Sequence, residues 1–256
     1  RVSVSCASHS LYRPDMSHVL CAQDVRHIRT ALVHALGSGL PSNLQPTDSI
    51  NNMDFAVTLP ELGRFRVNAF EQARGPALAL RLIPNEMPQL KHLNAPACVA
   101  SWSLQRHGLL LFTGPTGSGK STLLAALLHH INAERKVHIV TLEDPIEFIH
   151  TSHNSLVQQR EIGRDTPDFE SGLRAALRED PDVLLVGELR DSCTIKLALT
   201  AAETGHLVLA TLHTASAPQA VDRLVDAFPA HERDGVRALF AESLVAVLTQ
   251  TLCPHR

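Results

Sequence analysis

Gly114-Pro115-Thr116-Gly117-Ser118-Gly119-Lys120-Ser121 fits the pattern G-x-x-x-x-G-K-[ST], and what surrounds it constrains the fold as much as the residues themselves. An apolar run, Leu109 to Phe112, precedes the segment and a helical pattern follows from Ser121. The order is therefore strand, glycine-rich turn, helix. Such a turn aims successive backbone N–H groups inward, and the helix presents its positive N-terminal end to the same space, so the two make an anion cradle. The ligand this predicts is a nucleoside triphosphate, held by Gly114 through Thr122. Lys120 is expected on the β- and γ-phosphates and the Ser121 hydroxyl on Mg²⁺.

Downstream, short apolar runs alternate with helical patterns. Helix Lys120–Ile131 leads to strand Val137–Leu142, helix Phe169–Arg178 to strand Val183–Val186, and helix Ser192–Glu203 to strand Leu207–Leu212. Two further helices are expected from Ala217 and Ala230, and the apolar stretch that ends near Leu252 reads as helical. Alternation of this kind specifies an α/β fold with a mainly parallel sheet covered on both faces. Upstream the pattern differs. A helical pattern spans Asp24 to Leu36; Phe55–Leu59 and Arg64–Phe70 then alternate across a Pro60-Glu-Leu-Gly63 turn, and Leu78–Ile83 follows as a third strand. Pro84, Pro88 and Pro96 punctuate the next stretch, which places a boundary between domains at 1–97 and 98–256.

Composition removes several classes of function. With 23 Lys and Arg against 26 Asp and Glu, the net charge is −3 and the cations are scattered, so no footprint for nucleic acid is present. The five cysteines are odd in number and far apart, with no C-x-x-C pair, which suits reduced thiols in a cytoplasmic protein. No run approaches the roughly 18 apolar residues of a membrane span. Direct membrane insertion is not expected. His129-His130 and His150 with His153 lack a third ligand at useful spacing and read as surface residues.

Ligands of an open parallel sheet sit beyond the carboxyl ends of its strands. Four strands end in polar residues here: one in the glycine-rich turn, one in Glu143-Asp144-Pro145-Ile146-Glu147, one in Gly187-Glu188-Leu189-Arg190-Asp191, and one in His213-Thr214. Two of them bring carboxylates toward the triphosphate, one to hold the Mg²⁺ shell and one to deprotonate an attacking water. That favours hydrolysis over binding alone. Asp182, at the other end of its strand, reads as a turn or cap residue.

Thr141-Leu-Glu-Asp-Pro-Ile-Glu147, Leu177-Arg-Glu-Asp-Pro-Asp182, Val186-Gly-Glu-Leu-Arg-Asp191 and Thr200-Ala-Ala-Glu-Thr-Gly-His-Leu-Val-Leu-Ala-Thr-Leu-His-Thr214 resemble the Asp box, atypical Walker B and His box of the type II/type IV secretion ATPases. Gly63-Arg-Phe-Arg-Val-Asn-Ala-Phe-Glu-Gln-Ala-Arg-Gly75 and Asp222-Arg-Leu-Val-Asp-Ala-Phe-Pro229 narrow the likeness to the pilus-retraction, twitching-motility (PilT-like) branch. The resemblance implies a RecA-like core preceded by a partial PAS-like α+β domain, ATP and Mg²⁺ as ligands, and a homo-hexameric ring. It makes Glu143 the leading candidate to activate water and Glu188 to hold the metal shell, although the two roles can be exchanged. It assigns His213 and His206 to sensing the γ-phosphate, and Arg66 and Arg74 to a neighbouring subunit's nucleotide, with Arg174, Arg178 and Arg190 as further candidates.

The implied setting is cytoplasmic, peripheral at the inner membrane through a platform component of a pilus or secretion system. Ser8-His-Ser-Leu-Tyr12 is a remnant of the family's opening strand, and the family's terminal helices are absent beyond Leu252, so incomplete motor coupling is expected. The rival readings are a nucleotide-binding regulatory paralogue and a small-molecule P-loop kinase. The doubled carboxylates argue against the kinase, because they favour water as nucleophile.

Overall fold

The structure, a computed structural model, describes residues 27–28, 53–59, 62–73, 75–84 and 86–253. The chain divides into two compact units, 1–85 and 86–256. Pro84 therefore closes the first unit, Pro88 and Pro96 belong to the second, and the boundary expected at 97/98 lies inside the second. Most of the helical pattern at Asp24–Leu36, and the segment Ser8–Tyr12, fall outside the described residues; His27 and Ile28 are helical.

In the first unit, β1 (Met53–Leu59), β2 (Gly63–Gln72) and β3 (Gly75–Ile83) form an antiparallel meander. Period-two alternation sets its faces. Phe55, Val57, Val67 and Ala69 are buried together, with Ile28, Leu59, Phe65 and Leu78 packed against them.

The second unit is built on a six-stranded sheet in the order β6-β5-β7-β8-β4-β9, in which every pairing is parallel. Its strands are β4 (Gly108–Thr113), β5 (His138–Glu143), β6 (Leu156–Glu161), β7 (Val183–Val186), β8 (Leu207–Leu212) and β9 (Leu244–Thr249). The helices are α1 (Ala97–Trp102), α2 (Lys120–Glu134), α3 (Phe169–Ala176), α4 (Ser192–Glu203), α5 (Ala217–Asp226) and α6 (Arg233–Ser243). Successive residues of each central strand serve opposite cores. Leu110, Phe112, Ile139, Val183, Leu185, Leu207 and Leu209 pack against α2 and Val99 of α1. Leu109, Leu111, Val140, Leu142, Leu184, Val186, Val208 and Ala210 pack against α3, α4, α5 and α6.

Both-face burial is why these strands read as continuous apolar runs. Helix α2 is apolar on most of its circumference, with Leu123, Leu124, Ala125, Ala126, Leu127, Leu128 and Ile131 all buried. Helix starts are marked by side chains that cap orphan N–H groups: Asp168 accepts from Ser171 N, Asp191 from Thr194 N and Ser216 from Gln219 N.

One element departs from the reading of the sequence, and one was not foreseen. The apolar stretch ending near Leu252 contains a strand, β9, because α6 stops at Ser243 and Leu244–Thr249 pairs in parallel with β4. Strand β6 is the unforeseen one, its Leu-Val-Gln-Gln-Arg-Glu run being too polar to stand out as a buried strand. Both are edges of the sheet, paired on one side only. Among the described residues no helix is long and apolar enough to cross a membrane.

Leu127 is fully buried between α2 and the sheet. Leu127→Ala should cost about 2–5 kcal/mol of stability through lost burial and the cavity left behind. Leu80→Ala, at a side chain 47% exposed, should cost well under that. Chemical denaturation of the two variants checks the contrast.

Candidate nucleotide site

The carboxyl ends of β4, β5, β7 and β8 lie at one end of the sheet, and the polar residues that follow them meet there. The loop Gly114–Gly119 leaves β4 and closes on α2. Gly114 has φ 144°, and a Cβ there would strike the backbone oxygen of Gln250 and lie 2.8 Å from Ser118 Oγ. Gly119, the N-cap of α2, has φ 93° in the left-handed region. A side chain at either place would be strained in its backbone and would run into Gln250. Pro115, Thr116 and Gly117 form an exposed crest, whereas Gly114, Ser118 and Lys120 are buried. Ser118 Oγ is enclosed without a hydrogen-bond partner. That orphan hydroxyl at the mouth of an N–H cradle fits an anionic group.

Lys120 is the first residue of α2 and only 7% exposed. Its Nζ donates to Gly114 O at 2.8 Å and Pro115 O at 3.0 Å, and lies 3.3 Å from His213 Nδ1. Burial pushes the ammonium below its ordinary value, opposed by the fields of Glu188 and Glu147. Since an ammonium only donates, Nδ1 of His213 is the acceptor in this contact and the ring proton sits on Nε2. Nε2 faces Glu188 Oε1 at 3.7 Å, and the other Glu188 oxygen accepts from Arg190 Nε at 2.7 Å. Lys120, His213, Glu188 and Arg190 thus form one polar chain across the ends of β4, β8 and β7.

Glu143 closes β5 in a different setting. Its Oε1 accepts from Thr141 Oγ1 at 2.6 Å and from Gln159 Nε2 at 3.0 Å. Burial is the main cause that pushes its carboxyl up to about 7, with Glu147 and Glu161 adding to the rise and the two hydrogen bonds opposing it. Gly187 allows this crowding: its N–H donates to Leu142 O at 2.8 Å, and a Cβ would stand 3.4 Å from Glu143 Cα. Glu161 secures the following loop by accepting from Ile146 N at 3.1 Å.

The structure gathers Gly114 to Thr122, Glu143, Glu188 and His213 at this end of the sheet. It does not bring His206 there. His206 precedes β8 and sits at its amino end, where its N–H and Nδ1 both meet Ala201 O and its carbonyl accepts from Gly108 N. Arg66 lies in the first unit, where its guanidinium holds Asp54 through contacts of 3.2 and 2.6 Å. Arg74 lies outside the described residues. Arg174 is exposed and bound to Glu170, and Arg178 is exposed. Asp182 accepts from His138 N at 2.8 Å at the amino end of β5, consistent with a turn or cap role.

Two residues against the site were missed. Gln159 stands beside Thr141 in the β5–β6 register, and Gln250 follows β9. Thr141 carried a signal, being two residues before Glu143 on the same strand face.

The fold and the polar constellation define a phosphate-binding α/β core of the RecA-like P-loop class. The chain belongs to the type II/IV secretion system protein family, which matches residues 46–256. It is 60% identical over 200 residues to the uncharacterized protein YggR of Escherichia coli strain K12, covering 78% of this chain and 61% of that protein. It is 54% identical over 200 residues to the twitching motility protein of Neisseria gonorrhoeae, covering 78% of this chain and 54% of the relative. The crystal structure of the pilus retraction motor PilT with bound ADP matches with a TM-score of 0.76 and 47% identity, over 80% of this chain and 60% of that one. The chain thus spans less than two thirds of the length of these relatives.

The state of Glu143 has a consequence for stability. A carboxyl raised above its ordinary 4.5 in the folded protein contributes stability that is fully present below that value and lost as pH rises through about 7. Glu143→Gln is neutral throughout and retains a carbonyl oxygen for Thr141 and Gln159. The variant should gain on the wild type as pH rises from 5 to 8.5, each kcal/mol corresponding to about 2–4 °C in Tm. An equal Tm difference at both pH values would show that this carboxyl is not desolvated.

Proposed function

We propose that this chain binds and hydrolyses ATP as part of a motor subunit of a type IV pilus, in its retraction branch, or of a type II secretion-like apparatus. The observation that carries the reading is the convergence, at one end of a parallel sheet, of a cradle with its buried Lys120, a desolvated Glu143 and the Glu188–His213 pair. The orphan Ser118 hydroxyl, and a loop whose turn rests on two positive-φ glycines, fit a polyphosphate. Family membership supports ATP as the nucleotide.

In this reading the polyphosphate replaces the carbonyl contacts of Lys120, whose charge then meets the β- and γ-phosphates. Ser121 and Glu188 would hold Mg²⁺, which screens phosphate charge when bound. Glu143 takes a proton from the attacking water, a task for which a carboxyl poised near neutrality is suited. His213 links Lys120 to Glu188 and can report the phosphate to both strand ends. His206, at the far end of β8, is left a structural role within the subunit.

The working assembly is proposed as a homo-hexameric ring, docked on an inner-membrane platform component, with the first unit as part of a PAS-like domain. Arg66, Arg74, Arg174, Arg178 and Arg190 are the candidates to reach a neighbouring nucleotide. Arg66 would have to give up Asp54 to do so, and Arg190 would have to give up Glu188.

Phosphate release from ATP without any added acceptor tests the reading against a kinase. Lys120→Ala should nearly abolish nucleotide binding, because it removes charge that meets the ground state. Glu143→Gln and Glu188→Gln should bind within a few-fold of wild type and hydrolyse at least about 10²-fold more slowly, as groups that act mainly in the transition state do. Wild-type turnover in both glutamate variants would overturn the proposed chemistry. For the ring, activity per chain should rise with protein concentration, and added Lys120→Ala subunits should depress it more than in proportion to their fraction. Strict proportionality down to nanomolar protein would rule the ring out.

A further inference from the structure

The residue that follows β9 touches both limbs of the phosphate loop. Gln250 N–H donates to Thr113 O at 2.8 Å, at the point where the chain leaves β4. One residue earlier, Thr249 Oγ1 and Thr113 Oγ1 share a hydrogen bond of 2.9 Å. On the entry limb, the Gln250 carbonyl oxygen occupies the space that a Cβ on Gly114 would need. On the exit limb, the Gln250 side-chain nitrogen would stand 2.8 Å from a Cβ on Gly119. One residue therefore bridges the first and last glycines of the loop, and a side chain on either would collide with it.

The amide of Gln250 is placed by packing. Its Oε1 is enclosed with no hydrogen-bond partner, and so is Ser118 Oγ, which lies 2.8 Å from the same Gly114 Cβ position. A purely structural glutamine would satisfy its own oxygen, since an enclosed unpaired acceptor costs stability. Two orphan polar atoms at one loop indicate a group whose bonding is completed when the loop changes shape. Phosphate entry is the event that reshapes it, because the Lys120 contacts to Gly114 O and Pro115 O must then be exchanged.

We propose that Gln250 is a positioning residue for the nucleotide: its backbone anchors the entry limb of the phosphate loop to β9 and its side-chain amide sets the exit limb at Gly119, so that the cradle stands at the width a diphosphate requires. The inference rests on the nucleotide reading of the site. It adds to that reading the end of β9, which none of the four foreseen strand ends includes. Gln250 acts through the loop backbone, so its loss is expected in affinity for the phosphates of ADP and ATP alike, with kcat much less affected.

Three proteins and one probe test this, with the whole 256-residue chain used throughout. A fluorescent ADP analogue is titrated into wild type, Gln250→Met and Gln250→Glu, and thermal unfolding is followed without nucleotide. Gln250→Met keeps the volume against Gly119 but removes the amide; it should unfold within a few degrees of wild type and bind the analogue about three- to tenfold more weakly, the scale of one neutral hydrogen bond. Gln250→Glu keeps the length and the acceptor and adds a negative charge beside the phosphates. Through the loop that charge still opposes the phosphates, so the variant should bind more weakly again, with a deficit that shrinks as salt rises. Wild-type affinity in the methionine variant would overturn the proposal and leave Gln250 as packing alone. Should that variant fail to fold, wild-type affinity in the glutamate variant would overturn it equally. A wild-type chain that binds no ADP analogue overturns the nucleotide reading and this inference together, whereas binding by wild type with unaltered variants overturns only the role of Gln250.

Discussion

Parallel pairing is the constraint on which the rest of this molecule depends. Six strands running one way expose every carboxyl terminus at one end, and the chain must cross back over one face or the other before each new strand begins, by way of helices everywhere except between β5 and β6. Both faces are thereby covered, which explains why Leu109 and Leu110 are equally buried although they point opposite ways. The same geometry collects the loops after β4, β5, β7 and β8 without any of them being near in sequence. Glycines permit the closest approaches: Gly114 in the phosphate loop, and Gly187 where β7 ends against Glu143. The site follows from the direction of the strands.

The elements that could be read from sequence are those that this double burial marks most strongly. Strands β4, β5, β7 and β8 occupy the middle of the sheet, and helix Ser192–Glu203 was expected with the bounds it has, because Asp191 caps its start. The two strands missed or misread are the edges. Leu156-Val-Gln-Gln-Arg-Glu161 is partly exposed and carries four polar residues, and Leu244–Thr249 follows α6 without a glycine or proline to announce the change. Losing the edges also hid the residues that edges bring to the site. Gln159 reaches Glu143 only because β6 lies in register with β5, and Gln250 reaches the phosphate loop only because β9 lies beside β4.

The two histidines show a different limit. His206 and His213 flank the same strand and look equivalent as a pair of bracketing residues. Strand direction separates them: one precedes β8 and is tied to Ala201 O, while the other follows it and meets Lys120. Chain order alone contains that distinction, since in a parallel sheet only the residue after the strand can reach the carboxyl end. Arg66 is the comparable case in the first unit. Alternation placed it outward on β2, but only the β1–β2 register shows that Asp54 is within reach, pairing opposite Asn68 two positions along on the same face.

The two carboxylates at the site are kept in unlike surroundings, and this difference is what gives them separate work in the proposed chemistry. Glu188 sits in a chain of charged and polar partners, between Arg190 and His213 and within the field of Lys120. A carboxylate so placed is suited to holding a cation. Glu143 has neutral donors only, the Thr141 hydroxyl and the Gln159 amide, and burial outweighs both, so its carboxyl is poised near 7. On these grounds the proposed chemistry puts the proton acceptor at the end of β5, and the cation at the end of β7.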